Sequence, residues 1–238
     1  MDANGQVTAA DFAQNRVTNA SQSEIFRQRL YDWQVYPTAG STQLTFFQQP
    51  VGSGITSSQG ATVGTAKTLH DTNMELGGQL PSGKAYLIDT IEVFFLPGSV
   101  STANTYTPSG AAIFAAAASA STIFAAPNDV NLFYQSGMLE LNVLSKNYLR
   151  EAPLMAFPPK AMLDTSAGVA SNSATVGETT VSVTKAVGRP YYIDPRVALQ
   201  PAVNFDVSLK WPGVVATPSG FNGRVGVILD GYMMRASQ

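Results

Sequence analysis

The chain has 238 residues, room for one large all-β domain or two small ones and for a substantial core. Charged residues are only 13% of it and the formal net charge is −2, which argues against holding nucleic acid through a general basic surface. There is no cysteine, which removes disulfides, thiolate nucleophiles, iron–sulfur clusters and cysteine zinc sites together.

The first residues, Met1-Asp-Ala-Asn-Gly-Gln6, lack a basic flank followed by an apolar run, so no secretory signal is expected there. Residues 1–40 are expected to form a helical arm. Thr8-Ala-Ala-Asp11 and Ser21-Gln-Ser-Glu24 both have the capping-box spacing, in which a hydroxyl and a carboxylate three residues later satisfy free amides at a helix start. Two short helices are predicted. In the second, Phe26, Leu30 and Trp33 fall at i, i+4 and i+7 and make one apolar stripe, with Arg27, Gln28 and Arg29 pointing elsewhere. A helix this short needs a surface to dock on, either its own domain or a neighbouring subunit. The stripe Phe26, Leu30 and Trp33 is therefore the candidate subunit-interface site. Arg16, Arg27 and Arg29 stand against Asp2, Asp11, Glu24 and Asp32, so the arm is no polycation made for a packaged genome.

The domain proper is expected over residues 41–238. After a turn at residues 36–40, residues 43–48 form its first strand, and residues 51–68, rich in Gly, Ser and Thr, form a long loop or weak edge hairpin. Residues 72–83 read as a strand end and turn, and residues 84–96 as a strong strand. Strict alternation would put Leu87, Ile91, Val93 and Phe95 on one face with Asp89, and Tyr86, Ile88, Phe94 and Leu96 on the other. With both faces apolar, that strand should be central or covered by a helix or a partner. The alanine-rich residues 111–126 predict an inserted helix, too short for the roughly twenty apolar residues of a membrane span.

Residues 137–144 alternate, with Leu139, Leu141 and Val143 opposite Glu140 and Asn142, a strand with one wet face. Residues 151–159 are extended, residues 161–177 read as a loop that is mobile or ordered by a partner, and residues 179–184 alternate again, with Val181 and Val183 on one face. The clearest strand follows. Val203, Phe205, Val207, Leu209 and Trp211 alternate with Asn204, Asp206, Ser208 and Lys210, bounded by Pro201 and by Pro212-Gly213. Residues 223–235 close the chain with Val225, Val227, Leu229 and Met233 on one side.

About eight strands with one helix between them predict an all-β jelly-roll sandwich with a short helical N-terminal arm. A single jelly roll is expected in preference to a compact double one, which would need about sixteen strands and leave little chain for loops.

No constellation of catalytic residues stands out, and no enzyme activity or cofactor is expected. His70, the sole histidine, lies beside Asp71 without the partners that a metal site or a hydrolase would need, and is better read as a turn residue. Asp89 and Glu92, at an odd spacing, are expected on opposite faces of their strand. Asp129 or Asp164 are candidates for calcium held by loop oxygens. Neither Gly77-Gly78 nor the Gly52/Gly54 pair matches a phosphate cradle. Phe46-Phe47, Phe94-Phe95 and Tyr191-Tyr192 lie among strand residues, where packing explains them better than base stacking.

The segment from Asp71-Thr-Asn-Met-Glu-Leu-Gly-Gly-Gln-Leu-Pro-Ser-Gly83 through Phe95, together with Phe205-Asp-Val-Ser-Leu-Lys-Trp211, resembles the strand signatures of jelly-roll major capsid proteins of icosahedral bacterial viruses, a group that includes viruses with an internal membrane. The likeness covers about a third of the chain, and its motifs are structural. It implies a capsid subunit that self-assembles into capsomers of a virion shell built in the host cytoplasm. Its partners would be copies of itself, other capsid proteins and an internal viral membrane, without sequence-specific nucleic-acid binding. Low charge and two-faced apolar strands suit such a role. A virion spike or a lectin-like carbohydrate-binding jelly roll would share the same features.

Overall fold

A computed structural model describes residues 7–14, 23–57, 65–100, 125–159, 166–170, 178–182, 189–218, 220 and 222–236. In chain order they form α1 (Ala9–Gln14), β1 (Ser23–Tyr36), β2 (Gln43–Phe46), β3 (Lys84–Val100), α2 (Ala125–Ser136), β4 (Met138–Val143), β5 (Lys146–Glu151), β6 (Ser166–Ala170), β7 (Glu178–Ser182), β8 (Tyr191–Leu199), β9 (Phe205–Lys210) and β10 (Asn222–Ala236). Two antiparallel four-stranded sheets, in the orders β1-β10-β3-β8 and β2-β9-β4-β5, make an all-β sandwich, and β6 and β7 form a separate two-stranded hairpin.

The core lies between the two sheets, and the alternation of β9 and β10 puts it there. Phe205, Val207, Leu209 and Trp211 from one sheet face Val225, Val227, Leu229 and Met233 from the other, all buried. One end of the sandwich is filled by aromatic rings. Phe133 of α2 stacks on Phe95 at 4.4 Å, and Tyr36 meets Phe95, Phe133 and Trp211 edge-on at 5.4–5.7 Å. The polar tips of this cluster find partners: the Trp211 indole N–H donates to the Phe133 carbonyl and the Tyr134 hydroxyl to that of Val93. Gly137 is required beside them, since a Cβ there would come within 2.4 Å of Leu154 and 2.7 Å of the Trp211 nitrogen.

Residues 23–36 are a fourteen-residue strand, in place of the second expected helix, and pair along their whole length with β10. The helical spacing of Phe26, Leu30 and Trp33 was misleading because two inward positions of this strand, Asp32 and Gln34, are polar and hide the alternation. Phe26 and Leu30 face the core, while Trp33, at an odd spacing, lies on the outer face over Gly226, where a Cβ would come within 2.5 Å of the indole. The domain therefore begins with β1, and a boundary at residue 40 would cut through it. The first helix stands as expected: the Asp11 carboxylate reaches back to the Thr8 N–H at 2.8 Å. Its Phe12 is fully buried on this chain's own outer sheet face, against Ala85, Leu87 and Met234.

β3 is central, as its two apolar faces imply, but its alternation is broken. A β-bulge places an extra residue, Asp89, between Ile88 and Thr90, opposite the adjacent Gly231 and Asp230 of β10. Tyr86 and Ile88 therefore point inward with Ile91, Val93 and Phe95, while Leu87 points outward, contrary to strict alternation. Asp89 lies on the outer face together with Glu92, so the two carboxylates are not on opposite faces. β6 lies within residues 161–177, where only a loop was expected. The expected helix at residues 111–126 lies outside the described residues except for Ala125 and Ala126, which begin α2.

Candidate interaction surfaces

Each sheet edge leaves a row of backbone N–H and C=O groups that must be paired, solvated or blocked. On β5 the edge is guarded by charge, with Lys146, Arg150 and Glu151 along an exposed strand. On β8, residues 193–196 bulge out, so that Tyr192 pairs with Thr90 while Val197 pairs with Ile88, and Pro195 removes a donor within the bulge. β2 has only four residues, and side chains of β1 bracket it: the Gln34 amide donates to the Thr45 carbonyl at 2.6 Å, and the Asp32 carboxylate accepts the Phe47 N–H at 2.7 Å.

Along β1 the groups of residues 29, 31 and 33 point away from β10 and are met by the loop after residue 70. The Trp33 N–H donates to the Asp71 carbonyl at 2.7 Å and the Thr72 hydroxyl to the Tyr31 carbonyl at 3.1 Å. Asn73 imitates a strand residue, its amide donating to the Arg29 carbonyl at 2.7 Å while its oxygen accepts the Tyr31 N–H at 3.1 Å. Beside this cap, the β1 residues Phe26, Gln28 and Leu30 line a cleft of about 470 Å³ whose far wall is Met74, Leu80 and Pro81. Two of the three residues assigned to a subunit interface thus line one cleft, and Trp33 is elsewhere, 5.7 Å from the Phe94 ring and under the Arg224 guanidinium at 4.4 Å. The premise of their assignment, a helix in need of a docking surface, does not hold.

The loop that caps β1 is itself held by two buried carboxylates. Lys67 reaches Asp32 at 2.5 Å, with side-chain exposures of 3% and 0%. Burial pushes the Asp32 carboxyl above the usual carboxylate range, although the Lys67 ammonium and the Phe47 N–H pull the other way. Asp71 accepts from the Thr56 and Ser57 hydroxyls at 2.5 and 2.9 Å and from the Ser57 and Thr68 N–H groups, and Arg224 stands 3.6 Å from it. His70 is an exposed turn residue whose carbonyl accepts from Arg224. Neither Lys67 nor Asp71 was legible as an anchor in a Gly/Ser/Thr-rich loop. An isolated lysine and aspartate inside such a low-charge segment is the one signal present.

On the outer face of the β1 sheet, Arg27 grips Asp230 through two bonds of 3.1 Å, Arg196 binds Asp89 at 2.8 Å, and the Tyr232 ring lies between the two guanidiniums at 5.6 and 5.5 Å. The other sheet carries a polar row across all four strands. Gln43, Thr45, Ser208, Asp206, Asn142 and Asn147 are joined side chain to side chain at 3.0–3.3 Å. Next to this row, Glu140 is almost fully buried between Lys210 at 2.5 Å and Arg150 at 3.0 Å, so that face is only partly wet. The hydrogen bond from Lys210 holds the Glu140 carboxyl below its usual range, with Arg150 adding to it.

Among the described residues no group of three His, Asp or Glu side chains could hold a metal ion. Asp129 is buried at α2, and Asp164 lies outside the described residues. Gly77 and Gly78 pack against Gln48, with the Gly78 N–H bonded to the Phe47 carbonyl, so the pair joins two loops. The molecule is thus a two-sheet β sandwich whose chemistry is hydrogen bonding and ion pairing at its edges and faces. Comparison with family models, with curated proteins and with solved structures finds no match to the chain.

Proposed function

We propose that this chain is a structural capsid subunit, a single jelly roll that assembles with copies of itself into the shell of a bacterial virus. The order of the strands carries this reading. With the β6–β7 hairpin set aside as an excursion, the first strand pairs with the last, the second with the seventh, the third with the sixth and the fourth with the fifth. A single long hairpin rolled up on itself has this nesting, and it is the winding of a jelly roll, a fold used by viral capsid and lectin domains. The resemblance of residues 71–95 and 205–211 to capsid strands supports the same choice. Assembly would take place in the host cytoplasm, with other capsid proteins and an internal membrane as neighbouring layers. Electron microscopy of the purified protein and of the particles it comes from tests the proposal. Regular shells or capsomers are expected, and light scattering that finds only monomer at high concentration, with no particles in the source, overturns it.

The polar row on the second sheet favours one other reading. Hydroxyl, amide and carboxylate groups lined up across a flat face suit the hydroxyls of a glycan, as in a virion spike or a lectin. Glycan-array binding by dispersed protein, lost in an Asn142→Ala/Asp206→Ala variant, would favour it.

A further inference from the structure

Among the described edges of the two four-stranded sheets, β2 is bracketed by side chains, β8 is bulged and the second half of β1 is capped. That leaves the charged, exposed β5 and the first half of β1; of these two, the first half of β1 borders a cleft. Its pairing with β10 runs without a register shift, so the backbone groups of Ile25 and Arg27 point away from β10, as those of residues 29, 31 and 33 do. No described residue meets them. Beside them lies the cleft lined by Phe26, Leu30, Met74 and Leu80, whose charged lining residues are paired within the chain, Arg27 with Asp230, Lys84 with Glu75 and Arg235 with Glu24. An edge with free peptide groups, next to an apolar cleft, suits an extended strand that brings an apolar side chain.

We infer that the occupant is the same segment of a second copy, so that two β1 strands pair antiparallel about a two-fold axis at Phe26 and join two sheets into one. This rests on the shell reading in that the partner is another copy of the chain. The register follows from the free groups. Ile25 of one copy and Arg27 of the other exchange backbone bonds on both sides of the axis, Phe26 faces Phe26, and Glu24 falls opposite Gln28. A register one step later about the axis would set Arg27 against Arg27, whereas here no like charges oppose. Glu24 and Phe26 share a face of β1, so the second copy presents Phe26 on the side of the cleft while its Glu24 stays paired with its own Arg235. The cap by Thr72 and Asn73 begins at Arg29, where the added strand ends.

The absence of native cysteine makes the register directly readable. Facing residues of a non-hydrogen-bonded antiparallel pair have Cα atoms about 4.5 Å apart, within disulfide reach. Glu24→Cys and Gln28→Cys are exposed positions that leave the core intact. Under mild oxidation of assembled protein, a mixture of the two variants is expected to form a disulfide dimer at least tenfold more than either alone, with the 24–28 link identified by mass spectrometry. Phe26→Cys alone is expected to link to itself. Particles that form while the mixture links no better than the separate variants overturn the inference and leave the shell reading standing. A Glu24→Cys protein that links to itself also overturns it, as do particles that protect the Ile25 and Arg27 amides from exchange without the 24–28 link, since another chain then fills the edge. Linked dimers without any particle would uphold the edge pairing and count against the shell.

Discussion

Lys67→Met leaves the Asp32 carboxylate without its cation at a position with no solvent exposure. Breaking a buried ion pair from one side costs about 3–5 kcal/mol, because the remaining charge keeps its desolvation penalty without its compensation. The Phe47 N–H still satisfies one Asp32 oxygen at 2.7 Å, which sets the expected loss near the lower figure, about 3 kcal/mol. At about 2–4 °C per kcal/mol for a chain of this size, the melting temperature should fall by about 6–12 °C. Asp32→Asn alone strands the ammonium and should cost a similar amount. The double variant Asp32→Asn/Lys67→Met should cost only about 1 kcal/mol, since the Asn oxygen can still accept from Phe47 and the Met side chain fills the lysine's apolar path. Urea denaturation followed by the fluorescence of Trp33 and Trp211 reads all four proteins in one cycle. Single variants that each cost under about 1 kcal/mol and add in the double would refute the reasoning, by showing that the pair is solvated and the loop is held by something else.

Phe205→Ala should destabilise by about 3–5 kcal/mol, the range for deleting a buried aromatic, while Asp206→Asn, which can still accept from Asn142 and Ser208, should be nearly silent; equal shifts in urea midpoint would mean that the alternation of β9 does not report burial. Because its partners lower the Glu140 carboxyl in the folded state, the stability it contributes is present above the ordinary glutamate value of 4.5 and is lost as pH falls through the lowered one, so Glu140→Gln should flatten the acid limb of a stability–pH curve. Removing residues 1–34 takes away Leu30 and Asp32 with most of an edge strand and should leave an unfolded chain by circular dichroism. Removing residues 1–14 takes only α1 and uncovers Ala85, Leu87 and Met234, so a folded β domain with a lower melting temperature is expected.

What the amino-acid sequence determined by itself is the set of strands whose burial is apolar and strictly alternating. In β9 and β4 every second residue is a large hydrophobe facing the other sheet, in β10 Val225, Val227, Leu229 and Met233 do the same with Gly231 between them, and Pro201 and Pro212 mark where the ladder around β9 stops. The cap of α1 was legible for a similar reason, since Thr8 and Asp11 meet within one turn. Tertiary structure decided the rest. β1 turns Asp32 and Gln34 inward, with Lys67 and the backbone of β2 as their partners, and a pattern that equates an inward position with hydrophobicity cannot see a partner thirty-five residues away. The exposed β5 and the bulged, proline-containing β8 lack a regular apolar period because they are edges, and edges are selected against clean pairing. The bulge at Asp89 inverts the face of half a strand, and no local feature of Ile88-Asp89-Thr90 announces it. The partners of the bulged residue, Arg27 and Arg196, come from two other strands and meet its carboxylate on the outer face.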